Sequence, residues 1–292
     1  MELRVLRYFL AVAQEKNITH AAEKLLVSQP TLSKQLSDLE AELGTKLFIR
    51  GHKEITLTSE GDYLRSRAEE IIDLTDKTFT NIQTDQVISG ELTLGAGESI
   101  GMKRIINVIS GITQDYPDVK IHLVSGNADE MESMLNRGTL DFAVLMGERP
   151  LENYHYLKIP EMDQWGILML KDNLLAQKET INPTDLIDKP LLLSAQALQN
   201  HCFQDWWGNL GPQMNIIGTF TLVYNAELLV EKNGSYMITF NHLINNSPTQ
   251  NLIFRPLAPN LFEPITVIWK KNTVQSKVNQ LFIQRLKASL DN

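Results

Sequence analysis

Asn17-Ile18-Thr19-His20-Ala21-Ala22-Glu23-Lys24-Leu25-Leu26-Val27-Ser28-Gln29-Pro30-Thr31-Leu32-Ser33-Lys34-Gln35-Leu36 is the stretch that decides the N-terminal fold. Asn17 to Thr19 offer N-cap candidates, and Ala21, Ala22, Leu25 and Leu26 supply the apolar face of a short helix. Val27-Ser28 interrupts that helix. Ser28 then caps the next one, with Pro30 in its first turn, where the missing N–H costs nothing. Leu32, Leu36, Leu39 and Leu43 line one face, and Gly44 ends the helix at the C′ position. The other face displays Ser28, Gln29, Thr31, Ser33, Lys34, Gln35 and Ser37. Such side chains suit a major groove: Gln pairs bidentately with adenine, and Ser or Thr reaches base edges and phosphates.

Upstream, Leu3, Leu6, Phe9, Leu10 and Ala13 recur at helical spacing and predict an amphipathic first helix. The same residues imitate an export signal, with Arg4 and Arg7 ahead of Tyr8-Phe9-Leu10 and Ala11-Val12-Ala13. The apolar run is shorter than the roughly 7–15 residues an export core needs. Downstream, β-like runs over 47–50 and 55–57 flank Gly51-His52-Lys53-Glu54, a hairpin with a polar tip. Helix, helix, turn, helix, hairpin is a winged helix-turn-helix, although a small helical bundle without a ligand has the same periodicity. Arg50 at the hairpin base, with His52 and Lys53 at its tip, are candidates for the phosphate backbone or a neighbouring minor groove.

At 292 residues the chain is about twice a typical domain, and its 43% hydrophobic and 21% charged residues are ordinary for a globular protein. One cysteine, Cys202, and six histidines exclude a disulfide framework and a Cys-rich zinc site. The lone thiol fits a reducing compartment, so a cytoplasmic location is expected. No apolar run approaches the roughly 18 residues that span a bilayer. The net charge of −8 argues against a general polyanion binder. Residues 1–58, however, hold eight Lys/Arg against seven Asp/Glu, a local +1 that leaves −9 for the remainder. Any nucleic-acid site is therefore a local arrangement in the first fifth of the chain.

Residues 59–86 read as one long helix in which Leu64, Ala68, Ile71, Thr75, Thr78 and Ile82 alternate in steps of four and three, widened by Ile72 and Phe79. This is a candidate dimerising seam, and the same pattern would serve a helix packed on its own domain. Beyond Ser89-Gly90 strands are predicted over 92–95, 120–124, 142–146, 166–170, 191–193, 216–223, 236–239 and 265–269. Helical patterns over 105–116, 128–136, 226–232 and 274–290 separate them, which implies two α/β lobes with largely parallel sheet.

Within these lobes, Ala96-Gly97-Glu98-Ser99 follows the first strand and leads to a helix expected near Ile100. Ser194 follows the 191–193 strand in the same way. A serine-capped helix start favours an anion, and equally Ser99 and Ser194 could each cap only their own helix. Glu98 would repel an anion or pair with an amine if it points into a cleft, and otherwise complements a helix dipole. His201, Cys202 and Asp205 do not share a helix face, so a packed cysteine is the expectation, and Trp206-Trp207 reads as core or interface. No G-x-S-x-G, Walker, G-x-G-x-x-G or H-E-x-x-H motif occurs, which gives no support for an enzyme, a cofactor or a metal.

The runs Leu6-Arg7-Tyr8-Phe9-Leu10-Ala11-Val12-Ala13, Ile18-Thr19-His20-Ala21-Ala22-Glu23-Lys24-Leu25, Val27-Ser28-Gln29-Pro30-Thr31-Leu32-Ser33, Leu47-Phe48-Ile49-Arg50 and Leu57-Thr58-Ser59-Glu60-Gly61 together resemble the N-terminal signature of LysR-type transcriptional regulators. Gly90-Glu91-Leu92-Thr93-Leu94-Gly95 and Gly138-Thr139-Leu140-Asp141-Phe142-Ala143-Val144 resemble segments of that family's effector domain more loosely. The resemblance implies an α/β protein with an all-α-type winged helix-turn-helix over 1–58 and a linker and dimerisation helix over 59–89. It further implies a two-lobed, periplasmic-binding-protein-like (type 2) effector domain over 90–292. Lobe I would hold 90–160 and 265–292, lobe II 161–264, with a small-molecule cleft between them. It adds Asn127 and Met146 to Glu98, Ser99 and Ser194 as cleft candidates. Asn233-Gly234-Ser235 departs from the family's Gly-x-Gly turn, and Phe240 stands for an expected proline, which brings Ser235 onto the candidate cleft wall. The implied partners are double-stranded DNA bearing an interrupted inverted repeat, an unidentified effector, further copies of the chain as dimer and tetramer, and RNA polymerase. A solute-binding protein and an α/β enzyme are the competing classes.

Overall fold

In a computed structural model that describes residues 1–50, 54–82, 88–243 and 251–291, the chain divides into two compact units, Met1–Asp85 and Gln86–Asn292. The first contains α1 (Leu3–Glu15), α2 (Ile18–Lys24), α3 (Gln29–Leu43), the antiparallel strands β1 (Phe48–Arg50) and β2 (Ile55–Leu57), and α4 (Ser59–Ile82). Asn17 caps α2, accepting from the Thr19 and His20 N–H groups at 2.8 and 3.2 Å. Ser28 caps α3 through the Thr31 N–H at 3.3 Å. Gly44 ends α3 with φ 68°, the left-handed value a C′ glycine adopts without strain. In the turn between α2 and α3, Leu26 also takes a left-handed conformation, φ 56°, and is 93% exposed.

Val5, Leu6, Phe9 and Val12 of α1, Ala21 and Ala22 of α2, and Leu32, Leu36 and Leu39 of α3 form one buried core. Each large apolar side chain sealed there contributes roughly 1.5–3 kcal/mol. Glu40 ties α3 to the hairpin: its carboxylate accepts from the Leu47 and Phe48 N–H groups at 2.9 and 3.3 Å and from Lys46 Nζ at 2.7 Å. Burial alone would raise the Glu40 carboxyl, but Lys46 and the two backbone donors outweigh it and hold the group below its ordinary value.

The long fourth helix corrects one sequence expectation. Leu64, Ala68 and Ile72 join the core of this unit, so Leu64 and Ala68 are not available to a second copy. A seven-residue repeat marks one apolar stripe without saying which neighbour covers it. Here α1 covers its first half. Ile71, Leu74 and Phe79 remain exposed, and Thr75 is half-buried. The side chain of Ile82 lies outside the described residues.

The second unit is built on β3 (Gly90–Ala96), α5 (Met102–Asp115), β4 (Val119–Ser125), α6 (Ala128–Arg137), β5 (Phe142–Met146) and the 17-residue β6 (Tyr154–Leu170). There follow β7 (Leu191–Ser194), α7 (Ala195–Gln199), α8 (Gln204–Trp207), β8 (Ile216–Phe220), α9 (Val223–Asn233), β9 (Tyr236–Phe240), β10 (Leu252–Pro256), β11 (Phe262–Lys270) and α10 (Lys277–Leu290). The strand order is β4-β3-β5-β11-β6-β9-β7-β8, with β10 also paired to β6. β3, β4 and β5 are mutually parallel, as are β7, β8 and β9. The antiparallel pair β6 and β11 runs between these two groups. Its register breaks between Pro264 and Ile265. Separate buried clusters centre on Phe142 and Phe282 in one lobe and on Trp165 and Phe203 in the other.

Most expected elements of this unit are present, but the sheet is mixed where a largely parallel one was expected, because β6 and β11 pair antiparallel with each other and with β9, β10 and β5. Three segments also differ. Residues 154–165 belong to β6 ahead of the expected 166–170, β10 was not anticipated, and the predicted 216–223 strand stops at Phe220, with α9 starting at Val223.

Candidate nucleic-acid interface and effector cleft

On α3, Ser28, Gln29, Pro30, Thr31 and Lys34 are exposed, and Ser33 and Gln35 are half-buried at the edge of the leucine face. The helix thus presents its polar side while Leu32, Leu36 and Leu39 anchor the other. The Ser28 hydroxyl is engaged by its capping bond and by Thr31 Oγ1 at 2.7 Å, so its first task is to begin the helix. β1 and β2 form the expected hairpin, with Arg50 opposite Ile55. His52, Lys53 and the Arg50 side chain lie outside the described residues.

In the second unit a cavity of about 270 Å³ opens between the lobes, large enough for a small metabolite. Glu98, Met146 and Ser194, named from the sequence, are part of its lining. Glu98 Oε2 accepts from the Val223 N–H at 2.6 Å, so the loop after β3 caps a helix of the opposite lobe. Gln196 of α7 does the reverse, its Oε1 accepting from the Ala128 N–H at the start of α6 at 2.9 Å. Ser194 caps α7 through the Ala197 N–H at 3.4 Å.

Three other candidates sit elsewhere. Ser99 is buried and its Oγ accepts from the Gly101 N–H at 3.1 Å, while Asn127 caps its own helix through the Glu130 N–H at 2.9 Å. Neither lines this cavity. Ser235 corrects the sequence reading: it is 1% exposed beside the start of β9, whereas the cavity meets that strand at Thr239 and Phe240, its far end. The departure from the family turn is absorbed where Gly234 ends α9 with φ 69°.

Sequence reasoning missed the cleft wall made by Trp165, Phe240, Glu263 and Arg149. Trp165 and Phe240 pack with ring centroids 4.0 Å apart and planes tilted by 47°, and Trp165 Nε1 donates to Glu263 Oε1 at 3.2 Å. Burial raises the Glu263 carboxyl, against lowering by Trp165 and Cys202. Burial pushes the Cys202 thiol up to about 11, and nearby Glu263 adds to this. Such a thiol is poorly nucleophilic. The signal that could have found Glu263 is a charge at the start of the 265–269 apolar strand. Among the described residues no group of three or more His, Cys, Asp or Glu is arranged to hold a metal, and no helix is long and apolar enough to cross a membrane.

A winged helix-turn-helix with an open polar helix face, followed along the chain by a two-lobed unit with a cavity at its crossing strands, defines a ligand-responsive DNA-binding protein. Residues 3–62 match the family described as bacterial regulatory helix-turn-helix protein, lysR family, and residues 85–291 match the LysR substrate binding domain. The chain belongs to the LysR family of transcriptional regulators. It is 29% identical to the Hca operon transcriptional activator HcaR of Escherichia coli over 94% of each chain. It is 34% identical to the uncharacterized HTH-type transcriptional regulator YcgK of Bacillus subtilis over 99% of this chain and 95% of that one. The fold is similar to that of full-length CbnR solved with its target DNA, with TM-score 0.77 and 20% identity over 99% of this chain and 100% of that one. The chain is thus a DNA-binding transcriptional regulator with an effector-binding domain.

Proposed function

We propose that the protein binds an interrupted inverted repeat upstream of a regulated gene in the cytoplasm, as a dimer that assembles further to a tetramer. The observation that carries this reading is the exposed face of α3, on which Gln29, Thr31 and Lys34 stand clear of the buried leucines. Gln29 and Ser33 read bases, with Ser28, Pro30, Thr31, Lys34 and Gln35 fitting the groove and backbone. Arg50, His52 and Lys53 of the hairpin add phosphate contacts. In this reading 1–58 is the DNA-binding part and 59–89 joins copies through the exposed Ile71, Leu74 and Phe79. The lobes 90–160 with 265–292, and 161–264, close on an effector at Glu98, Met146 and Ser194. The outcome is passed to RNA polymerase, and no reaction is assigned to the chain.

The effector shifts the assembly only by its differential affinity for two arrangements. The test is a footprint and gel shift on the DNA upstream of the protein's own gene, with salt titrated. Protection of an interrupted inverted repeat is expected. Binding that is equal on all sequences and lost at moderate salt would overturn specific recognition.

A further inference from the structure

The interlobe cavity, if it is the effector site as read above, has a charge that discriminates among ligands. An anion is held in such clefts by helix N-termini, cations or free hydroxyls. Here one amide at each of three nearby helix starts is already taken: the Val223 N–H by Glu98 at 2.6 Å, the Ala128 N–H by Gln196 at 2.9 Å, and the Ala197 N–H by Ser194 at 3.4 Å. Among the described lining residues Arg149 is the one cation, and its guanidinium is held by Asp129 at 2.7 Å and Glu132 at 3.2 Å. Residues 244–250, which follow the lining residue Leu243, contain no charged side chain.

Against that single committed cation stand three carboxylates from separate segments, Glu98, Glu148 and Glu263. The apolar wall beside them is the tilted pair Trp165 and Phe240, both largely buried, whose cavity-facing edges offer hydrocarbon contact to a ligand. A ligand carboxylate entering this space meets three like charges, with only the neutral polar groups of Thr221, Thr239 and Asn200 to receive it. An ammonium group meets carboxylate oxygens, with the aromatic pair beside them, since Trp165 Nε1 donates to Glu263 Oε1.

We propose that the cleft binds a positively charged small molecule, an amine carried on an apolar body, with the ammonium at Glu148 and Glu263 and the body along Trp165 and Phe240. Glu98 remains on the α9 start, so the ligand completes a cleft already bridged between lobes. Entry of a cation also favours the ionised form of Glu263, so its binding strengthens as pH rises through the acid range.

The test is thermal-shift and fluorescence titration of the full-length protein with butylamine, benzylamine and 2-phenylethylamine, beside the alcohols and carboxylates of the same skeletons. Amines are expected to raise the melting temperature, and the carboxylates to leave it unchanged. Removing one facing charge by Glu263→Gln is expected to weaken the amines about tenfold. Glu148→Gln, at an exposed position, is expected to weaken them in the same direction without touching the fold. Stabilisation by carboxylates that is lost in Trp165→Phe would overturn the charge assignment and keep the cleft as the binding site. No stabilisation by any compound of the three series would overturn both.

Discussion

Gln29 is exposed in the first turn of α3, where its amide is free to meet a base edge, so Gln29→Ala should cost about 1–3 kcal/mol on the cognate repeat. Competition gel shifts would show no loss on random DNA; an equal loss on both would remove Gln29 from base reading. Cys202 makes an opposite kind of prediction. With its thiol pushed up to about 11 from 9.0, the thiolate fraction near pH 8 is about 100-fold below that of an unperturbed thiol. Labelling of the native protein by a thiol reagent should be slow and should accelerate with pH beyond 9. Fast labelling at neutral pH would contradict the raised thiol of this half-buried residue. The cap, the first-turn proline and the buried leucine face of α3 were legible in the sequence because they are local signals. The cleft residues Trp165 and Glu263 were not, because they meet only when two strands separated by about a hundred residues pair.

At the scale of elements, α4 begins where Thr58 Oγ1 accepts from the Gly61 N–H at 3.0 Å and donates to the Lys46 carbonyl at 2.7 Å. A Cβ at Gly61 would stand 2.2 Å from the Leu47 carbonyl oxygen. Gly61→Ala, which raises intrinsic helix propensity by about 1 kcal/mol, should therefore destabilise the unit by about 2–3 kcal/mol in urea unfolding. A stabilised variant would refute the close approach. Further along, Ile71→Asp with Phe79→Asp should leave the fold intact and weaken self-association in sedimentation, since both side chains are exposed. An undiminished dimer would place the interface elsewhere. Strand and helix alternation was readable from periodicity. The error at 216–223 had a non-local cause: apolar Val223 looks like strand, yet its N–H is held by Glu98, 125 residues earlier, as the first amide of α9. The first half of β6 was not read from its residues because it lacks clean alternation, with Tyr154 buried, His155 and Tyr156 exposed, Leu157 half-buried and Lys158 exposed, and β10 because Arg255-Pro256 reads as a loop.

For the second unit as a whole, the reciprocal caps set how closed the lobes are. Glu98→Ala combined with Gln196→Ala removes both acceptors, each worth about 0.5–2 kcal/mol to the helix it caps. Hydrogen exchange at the Val223 and Ala128 amides should then quicken at least about tenfold, with the lobe interiors around Phe142 and Phe203 still protected. Unchanged exchange at both amides would mean that the caps do not hold the lobes together.

The paired β6 and β11 give this linkage a mechanical character. A hydrogen-bonded ribbon of two extended strands resists stretching strongly and torsion weakly, because twist is spread over soft backbone dihedrals while lengthening must deform bonds. The register break between Pro264 and Ile265 concentrates the softest point at the crossing. Such a ribbon permits counter-rotation of the two lobes about its length more readily than separation along it, so the difference between an open and a closed second unit would be an angle and not a distance.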